Sequence, residues 1–375
     1  MAHKSTLEKM VTLAELKKAY AGKRVFLTGH TGFKGTWMLQ ILARLGAIVK
    51  GYSLAPEHSY DLYNLIDGES LCHSSVINDI RDAERLRKEI LYFEPDYIFH
   101  LAAQPLVLKG YEQPLYTFEV NTQGTANLLE AIRMLDKNCV NVLITTDKVY
   151  ENKDNGTAFN ENDKLGGYDP YSASKAACEI IISSYRSSFF NSEKKNSFIK
   201  PIASVRAGNV IGGGDFADNR IIPDIIRAIQ RDEVIELRNP SATRPWQHVL
   251  EPLGVYLMLG AQLATSPYSY DTSYNIGPED GDVLTVEDLT KMAIQLAGKG
   301  SYTVIDNPSK LHEAASLSLD IQKIKHELGW SPVYNSREAV AKTITWYLDT
   351  AHADIKCQTQ INEYFKGSID NADDE

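Results

Sequence analysis

Cysteine is scarce in this chain: four in 375 residues, at Cys72, Cys139, Cys178 and Cys357. They are scattered without paired spacing. That argues against a disulfide frame or a zinc site and fits reduced thiols in a cytoplasmic protein. Long apolar runs are missing too, and none reaches membrane-spanning length. Positive charge is in deficit: 39 Lys and Arg against 49 Asp and Glu leave a formal net charge of −10. A basic surface is what draws nucleic acid and anionic membranes at long range, so both are set aside as main partners. A small phosphorylated ligand is not excluded, because a few arginines and a helix N-terminus can hold one diphosphate. The polar stretch from Met1 to Lys23 mixes lysines with glutamates, so it is expected to be a short helix or loose tail, not a signal peptide. No repeat of solenoid period is found.

What is present is an alternation of short apolar runs with helical patterns. Lys23 to Thr28 is a β-rich run, and Gly29-His30-Thr31-Gly32-Phe33-Lys34-Gly35 follows at once. A helix is expected from Thr36 to Leu45, closed by Gly46, and then a strand from Ala47 to Tyr52. Further helices are expected at Arg81–Phe93, Thr122–Leu135 and Ser172–Phe189, with strands at Asp96–Leu101, Asn141–Thr146 and Pro201–Arg206. Such alternation predicts an α/β fold: a doubly wound parallel (Rossmann) sheet with helices on both faces. After residue 206 the elements become smaller and mixed, with Asn275-Ile276-Gly277 among them. The expected division is a tail at 1–22, a dinucleotide-binding domain at 23–206 and a smaller mixed C-terminal substrate-binding domain at 207–365. A segment near 246–275 is expected to return to the first domain, and an acidic tail covers 366–375.

Three groups of residues point to chemistry. Gly29, Gly32 and Gly35 lie between a strand and a helix, where glycine lets backbone approach a pyrophosphate and the helix N-terminus meets its charge. The alternative is a tight turn with no ligand. The acidic residue that usually holds the adenosine ribose is absent after the second strand, which ends Gly51-Tyr52-Ser53-Leu54. Asp79-Ile80 could meet the adenine amino group, or could simply cap the next helix. The second group is Tyr171-Ser172-Ala173-Ser174-Lys175. A spacing of four on a helix puts both side chains on one face, and the ammonium is expected to lower the phenol's pKa for proton removal from a sugar hydroxyl. Two unrelated surface residues are the plainer alternative. The third is Thr146-Asp147-Lys148, which taken alone suits a surface ion pair after a strand.

Together these residues resemble the extended short-chain dehydrogenase/reductase family, over about Gly22 to Tyr364. Several stretches resemble its nucleotide-sugar 4,6-dehydratases, in the branch that takes CDP-glucose: Thr28 to Gly35, Ala102-Ala103-Gln104-Pro105-Leu106-Val107, Gly166 to Tyr171, Val205 to Asp215, and most specifically Arg244-Pro245-Trp246-Gln247-His248-Val249-Leu250-Glu251-Pro252. The resemblance implies tightly bound NAD as cofactor and no metal. It places Gly29, Thr31, Gly32, Phe33, Lys34, Gly35, Asp79, Ile80, Leu101, Ala102, Ala103, Tyr171 and Lys175 at the cofactor. Thr146 would hydrogen-bond the sugar 4-oxygen, Asp147 would be the general acid for the departing C6 hydroxyl, and Lys148 the base at C5, where the dTDP-glucose enzymes carry a glutamate.

Substrate contacts would come from Gln104, Asn121, Asn209, Arg220, Arg244 and His248. Asn121 could equally be a helix cap, and His248 and Trp246 could equally be core. The implied reaction is the hydro-lyase conversion of CDP-glucose to its 4-keto-6-deoxy product. The implied setting is a homodimer or dimer of dimers feeding deoxysugar biosynthesis for O-antigen or other lipopolysaccharide glycans. A dehydratase or 4-epimerase for another nucleotide sugar is the neighbouring reading. A non-catalytic NAD(P)-sensing protein is the reading from another class, and it would be expected to have lost Tyr171 or Lys175.

Overall fold

The computed structural model describes residues 12–152, 156–191, 198–305, 317–349 and 351–366. Most of both expected tails lies outside these residues. Seven strands form the main sheet: β1 (Arg24–Thr28), β2 (Ile48–Ser53), β3 (Ser74–Ile77), β4 (Tyr97–His100), β5 (Val140–Ile144), β6 (Ile202–Ala207) and β7 (Ser273–Ile276). Their spatial order is β7-β6-β5-β4-β1-β2-β3. Every neighbouring pair is parallel. The chain winds outward from β1 to β3, then returns to β4 and winds outward the other way. Between β1 and β4 lies the switch point, where crevices form at the carboxyl ends of strands.

Burial on both faces explains the continuous apolar strands. All residues of β4, β5 and β6 are buried. Successive side chains of a strand point to opposite faces. Val25 and Leu27 therefore join the core under α1 (Leu13–Tyr20) and α2 (Phe33–Arg44). Phe26 joins the opposite core under α3 (Ala83–Phe93), α4 (Gly124–Met134) and α5 (Pro170–Tyr185). Asp82 caps α3 through the Arg85 N–H, so the capping alternative weighed for Asp79 falls to Asp82. A π-helical turn, Glu119–Gln123, precedes α4 where a continuous helix from Thr122 is expected.

The later half supplies α6 (Ile221–Gln230), α7 (Leu250–Thr265), α8 (Val286–Ala297), α9 (Ser336–Leu348) and α10 (Ala353–Lys366). Ile222, Ile225, Leu289, Val340 and Ile344 build a separate core from α6, α8 and α9. By contrast α7 is apolar nearly all round and packs into the first core. It leads to β7, so Asn275 and Ile276 belong to the main sheet and not to a small mixed element. Among the described residues no helix is long and apolar enough to cross a membrane.

Candidate active site

Strand β5 ends at Ile144, and Thr145-Thr146 carry the chain into a short 3₁₀ turn, Asp147–Val149. Thr146 Oγ1 donates to Asp147 Oδ1 at 2.9 Å and accepts the Lys148 N–H at 3.4 Å. Helix α5 faces this turn. Asp169 caps it, accepting Ser172 N–H at 3.0 Å, and Pro170 opens it without wasting a donor. Tyr171 and Lys175 both lie buried on the first turns of α5. The Thr146 side chain acts on the Tyr171 hydroxyl, drawing its pKa down. Lys175 Nζ donates to the Ile144 carbonyl at 3.2 Å. The structure therefore brings Thr146, Asp147, Tyr171 and Lys175 together at the carboxyl end of β5, with Lys148 half-buried beside them.

Burial dominates the electrostatics. It pushes the Asp147 carboxyl up, against the lowering influence of Lys148, the Thr146 hydrogen bond and Arg244. A raised carboxyl is shifted toward the proton-bearing form that a general acid needs. Burial also pushes Tyr171 up to about 12, with Thr146 and Arg220 pulling the other way. The expected lowering of Tyr171 by Lys175 is thus absent. Removing the phenolate from water outweighs the nearby cations, and the Lys175 ammonium is engaged with a carbonyl. Lys34 is brought down to about 7 by burial, then by Lys175 and Arg220. It stands at the open end of α2 in the same electrostatic neighbourhood as Asp147.

The glycine turn divides into two kinds of position. Gly29 has φ +74°, and a methyl group on it would lie 2.8 Å from Ala102 N. On Gly35 a methyl would lie 1.9 Å from Gly29 O. Packing within the chain accounts for both. Gly32 is exposed, caps α2 without a side-chain bond, and has nothing nearer than Gly29 O at 3.5 Å. Glycine at 32 is what an approaching pyrophosphate would require, so this cradle fits a dinucleotide. Phe33 opens α2 half-buried beside it. Thr31 ties the turn to the end of β2 through Ser53 Oγ at 2.9 Å and Leu54 O at 2.8 Å. Leu101, Ala102 and Ala103 are partly exposed beyond β4, and Thr28 Oγ1 accepts the Leu101 and Ala102 N–H groups. The Asp79 carboxylate is committed to Arg81, at 2.8 to 3.0 Å, and Ile80 is buried with its carbonyl bonded by Asn127.

The substrate assignments separate in the same way. Arg244 is buried and acts on Asp147. Arg220, paired with Asp215 at 2.7 Å, acts on Tyr171 and Lys34. Asn209 is half-buried next to Gly208, and a methyl on Gly208 would lie 3.1 Å from Asp147 Oδ2. Three further residues have partners within the chain. His248 is fully buried; its ring accepts Leu250 N–H at 3.3 Å and meets Gln360 at 3.1 Å, and burial lowers it to about 3. It is a core histidine. Gln104 has its amide bonded to Thr117 and to Leu106 N. Asn121 lies inside the π-helical turn and is bonded to Gln104 and Ser174. These internal bonds fit residues that order the site's frame, one of the expected roles of Asn121. Asn121 is not a helix cap.

Gly208, Glu179 and Arg206 were not singled out by sequence reasoning. Gly208 and Arg206 belong to the Val205–Asp215 stretch and could have been found there. Glu179 had only its place four residues after Lys175 as a signal.

A family model described as GDP-mannose 4,6 dehydratase matches residues 26–343. The chain belongs to that family. It is 43% identical over 331 residues, 88% of this chain and 92% of the relative, to a CDP-glucose 4,6-dehydratase of Salmonella typhimurium. A dTDP-glucose 4,6-dehydratase of Xanthomonas campestris is 25% identical, covering 86% and 92% of the two chains. Among solved structures, a family-type enzyme from Streptomyces venezuelae, a dTDP-glucose 4,6-dehydratase with NAD and a second ligand bound, aligns with TM-score 0.73. It is 25% identical over 87% of this chain and 97% of that one. A UDP-glucose 4-epimerase from Thermotoga maritima shares the fold at TM-score 0.72 and 19% identity, covering 87% and 98%.

Proposed function

We propose that this chain is an NAD-dependent 4,6-dehydratase that converts CDP-glucose to CDP-4-keto-6-deoxyglucose. The observation that carries the reading is Asp147, buried with its carboxyl pushed up, beside Lys148 at the end of β5 and one hydrogen bond from Thr146, which also acts on Tyr171. An epimerase needs Thr146 and Tyr171 but has no use for an acid and a base next to them. NAD, when bound, accepts hydride from the sugar C4 and returns it to C6. Gly29, Gly32 and Gly35, with the α2 N-terminus, are the residues that would hold its pyrophosphate. Tyr171 removes the 4-hydroxyl proton while Thr146 holds the 4-oxygen. Tyr171 acts as that base in its phenolate form, which the positive charge of Arg220 favours. The C4 ketone acidifies C5–H, Lys148 takes that proton, Asp147 protonates the departing C6 oxygen, and C5 is reprotonated once hydride has returned to C6. Arg244 and Asn209 are the proposed diphosphate contacts, with Arg220 at its edge.

The identity to a CDP-glucose enzyme supports CDP-glucose over other nucleotide sugars. Incubation with CDP-glucose, dTDP-glucose, GDP-mannose and UDP-GlcNAc in turn tests it. A 4-keto-6-deoxy product from CDP-glucose alone is expected; turnover of another sugar with CDP-glucose inert overturns the substrate. Lys148→Met is expected to reduce NAD on adding substrate without completing elimination, and full dehydratase activity in that variant would remove Lys148 as the base. We also propose a homodimer, or a dimer of dimers, through α4 and α5, which leave Met134 and Ile180 exposed beside one another's helices. The four free cysteines favour a reducing compartment such as the cytoplasm.

A further inference from the structure

One layer beneath Asp147 lies a buried ion pair, Glu179 with Arg206, 2% and 4% exposed. Glu179 follows Tyr171 and Lys175 along one side of α5, at successive spacings of four. Its carboxylate collects donors from three adjacent strands or their ends. Thr145 Oγ1, just past β5, donates at 2.5 Å. Ser204 Oγ of β6 and Ser273 Oγ of β7 donate at 2.9 and 3.3 Å. Arg206 Nη2 donates at 2.8 Å. The other arm of Arg206 runs toward the far end of the catalytic turn. Nη1 donates to Tyr150 Oη at 2.8 Å and to the Glu161 carbonyl at 3.1 Å. Tyr150 Oη in turn donates to Asn275 Oδ1 at 2.6 Å.

Thr145 immediately precedes the segment Thr146–Val149, and Tyr150 immediately follows it. Both ends of the turn that carries Asp147 and Lys148 are therefore tied to the two halves of one ion pair. Stability alone does not call for such a pair, because well-packed apolar residues of similar volume hold a core as well or better. Apolar residues cannot, however, fix the directions of hydroxyls and a phenol from several elements at once.

We propose that the Glu179–Arg206 pair is a positioning clamp that sets Asp147 and Lys148 against the α5 pair Tyr171 and Lys175 for the elimination step. This rests on the dehydratase function proposed above. Neither member reaches substrate. Tyr171 and Lys175 keep their mutual geometry through α5 itself, and Lys175 holds the Ile144 carbonyl independently of the clamp. Loosening the clamp therefore displaces the acid and base of elimination more than the groups of C4 oxidation. The clamp acts on the second half of the reaction.

Glu179→Gln would strand the Arg206 charge and confuse folding with positioning. Thr145→Val and Tyr150→Phe leave the ion pair in place and cut one tether each. The full-length variants, with NAD and CDP-glucose, are measured for kcat, KM, the single-turnover rate of NAD reduction and the build-up of reduced cofactor. Each variant is expected to lose about tenfold in overall turnover, and the double variant about a hundredfold. KM and the rate of NAD reduction stay within about twofold, and reduced cofactor accumulates. A structural role alone would lower both half-reactions together, and that result overturns the proposal. So do variants indistinguishable from an active wild type. A wild type that leaves CDP-glucose untouched overturns the function itself, and the clamp with it.

Discussion

Two buried carboxylates, one in the catalytic turn and one bonded to Thr145 just before it, have their proton affinities shifted in opposite directions. Asp147 is raised by burial, which its partners do not offset. Glu179 is opposed by burial too, yet Arg206, Thr145 and Ser204 hold it below the ordinary carboxylate range. The difference lies in the donors. Asp147 has the Thr146 hydroxyl, and its cations act from a distance. Glu179 has a guanidinium in direct contact and three hydroxyls. Removal from water is common to both; how completely the negative charge is met decides which carboxyl keeps its proton. The upper one is left fit to donate, the lower one to hold.

Three experiments can break or sharpen that contrast. The largest effect is expected from Asp147→Asn, which leaves the shape and removes the acid. Turnover to the 4-keto-6-deoxy product should fall by about 10²- to 10⁴-fold, with NAD reduction by substrate preserved. Loss of NAD reduction to the same degree would place Asp147 in the first step instead. Next is Glu179→Gln, which leaves a buried guanidinium without its counter-charge. Urea unfolding at neutral pH should show a loss of about 3–5 kcal/mol. A variant as stable as the parent would mean the pair is not closed in solution.

The smallest effect is a difference in sign. Asp147 binds its proton more tightly folded than unfolded, so its contribution to stability falls as pH rises above its ordinary value of 3.8. Glu179 is the reverse. Its contribution is fully present above its ordinary value of 4.5 and is lost as pH falls through the lower folded value. Asp147→Asn should therefore melt above the parent at neutral pH, with the gap closing toward acid. For Glu179→Gln the deficit should shrink toward acid. Matching slopes in the two variants would contradict the assignment of opposite shifts.

The contrast also marks what a sequence shows and what it hides. The doubly wound fold is legible because strands, glycine turn and helix caps are local patterns, each written in five to fifteen consecutive residues. Thr146, Asp147 and Lys148 can be named because they are neighbours in the chain, and Tyr171 and Lys175 because four residues make one helical turn. Glu179 is different. Its meaning comes from Thr145, Ser204, Arg206 and Ser273, which only the sheet order brings together. For the same reason the sequence hides the internal partners of His248, Gln104 and Asn121. Each stands in a telling motif, but the partners that occupy it, Gln360, Thr117 and Ser174, are distant in sequence. β3 is hidden for another reason. Ser74–Ile77 has three partly buried residues and an exposed Ile77, with no apolar alternation to announce it.

The return of the chain to β7 bears on inheritance and engineering. A gene segment ending near residue 206 would encode six strands and the whole glycine turn, and so has the outline of a transferable cofactor module. It would leave β6, whose six residues are all buried, as an open sheet edge, and would omit the Ser273 and Asn275 ends of the polar network. An apolar edge of that kind invites pairing between chains. Recombination between relatives is therefore expected to succeed when the crossover lies beyond Ile276 and to yield aggregates when it lies between β6 and β7. The substrate-side region can be exchanged only in company with the strand that closes the sheet.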